Sequence, residues 1–505
     1  MPASRRTRAS SRSKQFRQGI HMTTVKSLDD ILLHFENAGP SEILNSPALP
    51  KVMSAAPRQL KLLRRKIRTL SSSEQQQAAA KLGAIVDGMT PASGQEALVL
   101  AQIAFYAGND VRARRLWEAY GRNLSLRGWM LLDAALAARG AEPETAIAKA
   151  AAYANEYTVS SFRRPDPDKP NLYVLKQQPA VIADPRATTS IHFGGNLISQ
   201  VVDRYPDRFN YASVFVDAAA TERKLSMVPA PDLLVSNVVN GESLGDPRLF
   251  EATEAAIRHW NMPCINNPQA AAVTARNRLA DLLDGCSDIV VPETVFYKRD
   301  DRSADDEIIA EIEKSFEYPV ILRSPFFQNG INMELCQNRE DAEHFLEQTP
   351  GGIFAIRFIE NHPRPGLFRK LRAAFVGQDL HPLRLDYGED WKVHGHRSEP
   401  HRRAFFEANP QLLEEEEAAC RDFKSYVGET AMTALQRIRE RIKLDCFGVD
   451  FDVADDGRLI LFEANAAMNL LAKKGLAYPH PKFAEEAMLE SYFALLDSRI
   501  GAQAG

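Results

Sequence analysis

The spacing of apolar positions changes along the chain and divides it into three stretches. Residues 25–160 read as helices throughout. Ala97, Leu100, Ala101 and Ala104 share one helical face, and Gly108-Asn109-Asp110 breaks the helix they belong to. A second helix carries Ala113, Leu116, Trp117 and Tyr120, and a further unit has Trp129, Leu132 and Leu136 before a break at Gly140. Residues 163–180 hold four prolines among many charges and predict a linker. Beyond it, Ile191-His192-Phe193-Gly194-Gly195-Asn196 runs into a helical pattern. Apolar runs at Ala212–Val216, Leu233–Val235 and Met262–Ile265 then alternate with a helix near Thr253–Trp260. Short apolar runs between helices predict a small parallel α/β domain with both sheet faces covered. From about residue 289 the strands lengthen and alternate, which predicts an α+β domain built on antiparallel sheets.

At 505 residues the chain is long enough for two to four domains. Composition adds little beyond an ordinary globular profile: 45% hydrophobic, 25% charged, mean hydropathy −0.30. A net charge of −4 and a pI near 6.3 give no overall signature of nucleic-acid or membrane-surface binding. Cys264, Cys286, Cys336, Cys420 and Cys446 are scattered without CxxC spacing, which fits a reducing cytoplasm rather than a disulfide framework or structural zinc. Arg5, Arg6, Arg8, Arg12, Lys14 and Arg17 lie in the first 20 residues with no apolar segment behind them, so a secretory signal is not expected. A disordered tail, sequence upstream of a start at Met22, and a basic arm for RNA or anionic lipid remain open.

The strongest chemical signal is Phe447-Gly-Val-Asp450-Phe-Asp-Val-Ala-Asp-Asp-Gly457-Arg-Leu-Ile-Leu-Phe-Glu463-Ala-Asn465. It reads as a hairpin, with an apolar strand on each side of an Asp-Gly turn. Pairing about that turn brings Asp450 near Glu463, and Asn465 points to the same face two residues on. Two carboxylates and an amide oxygen converging among apolar strands suit a hard divalent cation. Mg²⁺ takes few protein ligands and fills its shell with phosphate oxygens, so a nucleotide is the implied partner. A solvated surface hairpin is the bland alternative.

This D…E-x-N arrangement resembles the metal-binding end of ATP-grasp ligases, a family that includes D-alanine–D-alanine ligases, glutathione synthetases and ribosomal-protein glutamate ligases. Upstream segments match in the family's order. Met262–Pro268 with Ala275–Leu283 resembles the entry to the ATP-grasp domain, with Arg278 where a phosphate-binding lysine is usual. Tyr318–Pro325 resembles the strand ending in a second nucleotide-binding lysine, here Arg323. Phe354–Glu360 is similar to the strand that receives adenine, which implies Phe358, Ile359 and Glu360 as nucleotide contacts. Lys370–Gly377 resembles the next strand; Lys370 stands where an acidic ribose ligand is common, and Arg372 matches a basic residue of the glutamate-ligase branch. The loop after Arg323 holds a single glycine, Gly330, where relatives have several. The stretch through His381, Arg384, Trp391 and His394 resembles uncharacterised bacterial proteins that join helical repeats to an ATP-grasp domain. Gly108 and Gly140 are 32 residues apart, near the period of tetratricopeptide-like repeats, although a plain bundle fits as well.

The residue pattern predicts a disordered basic tail (1–24), a helical domain (25–162) and a linker (163–184), and the resemblance implies a small α/β pre-ATP-grasp domain (185–270) and a two-lobed ATP-grasp domain (271–500). It implies ATP and Mg²⁺ (or Mn²⁺) as cofactors, with Asp450, Glu463 and Asn465 as metal ligands. Arg278, Arg323, Phe358, Ile359, Glu360 and Lys370 would hold the nucleotide, and Arg372 and Arg384 would serve catalysis. The expected reaction joins a small-molecule carboxylate to an amine through an acyl-phosphate, releasing ADP and phosphate, in the cytoplasm. The alternative is an adaptor that has lost turnover and uses its helical region to bind a protein. That region is expected to serve a protein partner, a substrate carrier or self-association rather than chemistry, since no titratable residues group there at catalytic spacing. Neither membrane nor nucleic acid is an expected partner.

Overall fold

The computed structural model describes residues 86–91, 93–106, 108–122, 127–140, 143–161, 166–177, 180–182, 190–192, 197–198, 201, 207–237, 247–299, 302–325, 332–349, 351–393, 400–466, 468–471 and 481–501. The basic tail, residues 25–85, the Gly194-Gly195-Asn196 segment, Gly330 and His394 lie outside the described residues. The chain divides between Leu116 and Trp117 into two compact units.

In the first unit, helices Gly94–Tyr106 and Asp110–Leu116 flank a turn in which Gly108 has φ of 78°. A positive φ there is reached at least steric cost by glycine. Ala97, Leu100, Ala101 and Ala104, the face defined by their spacing, are all buried.

The second unit begins with helices Arg127–Arg139 and Pro143–Glu156, which the sequence grouped with the helical domain. They belong instead with the sheets that follow. Tyr153 and Ala154 pack with Phe215 and Ala218, burying apolar area that a bundle of their own would leave exposed. Strand β1 (Val159–Ser161) pairs antiparallel with β5, and the expected linker contains β2 (Asn171–Lys176). Strands β3 (Ala180–Ile182) and β4 (Ser190–His192) form a separate hairpin. Strands β5 (Asn210–Phe215), β6 (Leu233–Ser236) and β7 (Cys264–Ile265) complete a sheet of order β1-β5-β2-β6-β7. All its pairs except β1–β5 are parallel. β2 lies at the centre, buried along its length. The proline-rich flank hid it, because the four-residue apolar core Leu172–Leu175 is short for a strand signal.

The α/β domain therefore starts before residue 185. A chain beginning at Trp117 is expected to fold and stay soluble. One beginning at Ala180 loses β1 and the central β2, and is expected to aggregate; soluble expression with intact circular dichroism would contradict this.

β8 (Ile289–Val290) leads to a four-stranded antiparallel sheet of β9 (Thr294–Tyr297), β10 (Val320–Arg323), β11 (Met333–Cys336) and β12 (Ile353–Arg357), in order β11-β10-β12-β9. Helices Asp305–Ser315 and Arg339–Gln348 bury Ile308, Ile309, Ile312, Phe345 and Leu346 against one face. The larger sheet has order β14-β13-β15-β16-β8, from β13 (Phe368–Val376), β14 (Asp379–Gly388), β15 (Cys446–Val453) and β16 (Leu459–Asn465). Leu371, Ala373 and Phe375 of β13, with Phe447, Val449 and Phe451 of β15, pack with Ala431, Leu435 and Ile438 of helix Phe423–Arg441. The alternate positions of the same strands are thereby turned to the other face. Among the described residues no helix is long and apolar enough to cross a membrane. The fold is mixed α/β and α+β, and after residue 289 the strand pairs are antiparallel, as the alternation implied, except β8 with β16.

Candidate functional site

The hairpin forms at the predicted turn. Gly457 N–H donates to the Ala454 carbonyl at 2.9 Å, with Gly457 at φ of 84°. Asp450 faces Glu463 and Gly448 faces Asn465, with a register shift between Asp450 and Phe451 that places Phe462 as the extra residue. The bulge is what lets a 13-residue separation put both carboxylates directly opposite each other. Asp450 and Asn465 are buried, and Glu463 is nearly so.

These acids do not stand alone. Arg372, opposite Asp450 on β13, grips it with both prongs: Nε–Oδ1 and Nη2–Oδ2 are each 2.6 Å. Its remaining nitrogen donates to the Asn469 carbonyl at 2.9 Å. Lys370 Nζ lies 3.2 Å from Asp450 Oδ2. Arg384 sits opposite Arg372 on β14, 3.5 Å from Asp386, and Asp386 faces Lys370 across the strands. Glu463 is held by Arg276 Nη2 at 2.6 Å and accepts from Asn465 Nδ2 at 3.0 Å. Arg323, buried at the end of β10, adds a positive field at Glu463.

Electrostatics follow from this crowding. Burial alone would raise the Asp450 carboxyl, but Arg372 and Lys370 outweigh it and hold the group well below the usual carboxylate range. Glu463 is lowered too: burial opposes, and Arg276 and Arg323 prevail over neighbouring Asp450. Lys370 moves the other way. Burial pulls its ammonium down, and nearby Arg372 and Arg384 add to that against Asp450. Five cations (Arg276, Arg323, Lys370, Arg372, Arg384) thus meet three carboxylates (Asp386, Asp450, Glu463), leaving a positive cluster with low water access. Such a cluster is suited to a polyanion.

Two carboxylates and an amide oxygen are the donor types that a hard divalent cation takes. Two carboxylates and an amide meet at facing positions of a buried hairpin. The two carboxylates nevertheless share oxygens with guanidinium groups, and among the described residues no group of three or more His, Cys, Asp or Glu side chains gathers for a metal. Asp452, two residues beyond Asp450, is taken up internally by Arg369 at 2.6 Å and Asn361 at 2.5 Å.

Part of the chain is similar to several solved structures. A D-alanine–D-alanine ligase from Coxiella burnetii is 13% identical, over 54% of this chain and 68% of that one, with a TM-score of 0.32. An ATP-grasp RimK domain protein from Sphaerobacter thermophilus is 18% identical over 58% and 90%, with a TM-score of 0.33. A D-alanyl-alanine synthetase A from Vibrio cholerae is 13% identical over 66% and 98%, with a TM-score of 0.39. No family model matches the chain, and no curated protein matches it.

Several expected residues fall outside the cluster. Arg278 is exposed on helix Arg276–Leu282; the basic residue brought to the hairpin is Arg276. The reason is helical phase. Arg276 shares the buried face with Leu279 and Leu283 at spacings of three and seven, whereas Arg278 lies about 200° around the helix from Arg276. Phe358 and Ile359 are partly buried in the loop after β12, and the Phe358 ring lies 6.3 Å from those of both Phe368 and Trp391. Glu360 is exposed and bonds His362 at 2.9 Å. Lys392, beside Trp391, donates to the Met333 carbonyl of β11 at 2.5 Å. His381 sits opposite Ala374, away from the ion pairs, and burial lowers its pKa against the opposing charge of Asp379. Sequence reasoning missed Arg276 and Asp386. The Arg276–Leu279–Leu283 spacing was a usable signal, and Asp386 is two residues from Arg384 on the same strand.

Proposed function

We propose that the protein is an ATP-dependent carboxylate–amine ligase of the ATP-grasp type. The observation that carries the reading is the buried cationic cluster around the Asp450–Glu463 hairpin. Arg276 and Arg323 bind phosphate oxygens, with the partly buried Phe358 and Ile359 beside the base. Arg372 and Arg384, facing each other across β13 and β14, take up negative charge on the phosphoryl group as it passes to the substrate carboxylate. Planar guanidinium groups offer two parallel donors to such oxygens, and stabilisation by prepositioned charge is the main resource of phosphoryl transfer. Asp450, Glu463 and Asn465 would hold Mg²⁺, which when bound supplies further neutralisation of phosphate charge. The carboxylate, once phosphorylated, becomes an acyl-phosphate that an amine attacks with loss of phosphate. No Ser or Cys nucleophile is required; the Cys446 thiol is buried and pushed up to about 12, which suits an inert core residue.

The engagement of both acids by arginine also favours a second reading, an adaptor that binds nucleotide without turnover. Screening amino acids and small carboxylates for substrate-dependent ADP release separates the two. A pair of substrates that raises ADP release above the basal rate is the expected result. ATP binding with no ADP release from any combination would favour the adaptor.

A further inference from the structure

We infer that Arg372 competes with a divalent cation for Asp450, so that metal enters this site only together with, or after, a polyphosphate. The inference rests on the reading that the cluster binds a polyphosphate and that Asp450 is a metal ligand. Both oxygens of Asp450 are already in the guanidinium fork at 2.6 Å, and Lys370 adds a third contact. The fork is fixed from behind by the Asn469 carbonyl. Glu463 is engaged through Oε1, by Arg276 Nη2 at 2.6 Å and by the amide nitrogen of Asn465 at 3.0 Å.

A metal arriving alone would therefore have to displace a buried bidentate ion pair. It would also add charge to a cluster where five cations already outnumber three carboxylates. Both effects oppose binding. A polyphosphate reverses the balance. Its oxygens offer Arg372 and Arg276 equivalent bidentate acceptors, which frees the carboxylates, and it turns the net charge of the site negative. Binding of the two ligands is then positively coupled, and the coupling acts equally in both directions. Arg372 is in this account a positioning residue for the metal as well as a phosphate contact.

The test uses Mn²⁺ alone as probe on the full chain, followed by water-proton relaxation enhancement, with circular dichroism as the check on folding. Wild type is expected to bind Mn²⁺ weakly. Arg372→Gln removes the fork and is expected to bind it about tenfold or more tightly than wild type, a gain of about 1.4 kcal/mol per decade. Adding Asp450→Asn to that variant should abolish the gain. Arg276→Gln, which releases Glu463 instead, gives a second variant with the same expected direction. Equal Mn²⁺ affinity in wild type and both variants overturns the competition. If a non-hydrolysable ATP analogue still recruits Mn²⁺ to wild type in that case, the proposed nucleotide site stands and only the competition falls. If no variant binds Mn²⁺ even with the analogue, the metal assignment of Asp450 falls with it.

Discussion

Replacing Glu463 by Gln is expected to leave the chain folded and to reduce substrate-dependent ADP release on the order of a hundredfold or more. Glutamine keeps the volume and an oxygen that can still accept from Arg276 and Asn465, so the hairpin loses a charge rather than a packing element. What changes is the balance of the cluster. One of its three carboxylates disappears while all five cations remain, and a hard metal loses an anionic donor. ATP itself should bind about as well as before, since added positive charge favours phosphate. The signature is a fall in turnover without a matching loss of ATP affinity. Wild-type ADP release from a folded Glu463→Gln would mean that this carboxylate takes no part in the chemistry.

Asp450→Ala should act first on stability. The carboxylate is the shared counter-ion of Arg372 and Lys370, both largely buried. Its removal leaves two like charges side by side on β13 in a poorly solvated place, a loss of about 3–5 kcal/mol for breaking a buried pair. The urea midpoint of the ligand-free variant should fall accordingly. Inorganic triphosphate should restore more stability to the variant than to wild type, because it supplies the missing negative charge. The pH dependence has a definite sign. Arg372 and Lys370 depress the Asp450 pKa in the folded chain, so the pair contributes in full above the ordinary carboxylate range, near about 4. That contribution is lost as pH falls from there through the lower folded value. The difference between wild type and variant should thus narrow in acid. A difference that stays constant into strong acid would show that the charge of Asp450 contributes nothing.

The legible and hidden parts of this molecule separate along physical lines. The hairpin was readable because three independent signals agreed: apolar strands, an Asp-Gly turn and polar residues of one parity. Only the bulge at Asp450, on which the facing of the two acids depends, leaves no mark that spacing alone reveals. The antiparallel pairing of the four-stranded sheet agrees with what longer, alternating strands with helical pieces between them imply. β2 was hidden because prolines and charges flank a short apolar core, and its place at the centre of a parallel sheet comes from partners that lie dozens of residues away. Grouping helices Arg127–Arg139 and Pro143–Glu156 with the first unit failed similarly, since the apolar surface that claims Tyr153 is on β5. At the site, the arginine that reaches Glu463 stands two residues, about half a helical turn, from the position matched by resemblance. The helix puts Arg276 toward Glu463 and Arg278 toward water. Lys370, matched to a ribose contact, turns to Asp450 because its strand pairs with β15 at that point.

That half-turn gives the most direct test of the claim that the cluster holds the phosphates of ATP. Calorimetric titration of ATP into wild type, Arg276→Ala and Arg278→Ala compares two arginines on one short helix. Arg276→Ala should weaken binding by roughly 1.5–3 kcal/mol, about tenfold to somewhat over a hundredfold in Kd. Arg278→Ala, removing an exposed arginine, should change it by less than about 1 kcal/mol. Unchanged affinity in both variants, or a loss confined to Arg278→Ala, would contradict the account and place the nucleotide elsewhere.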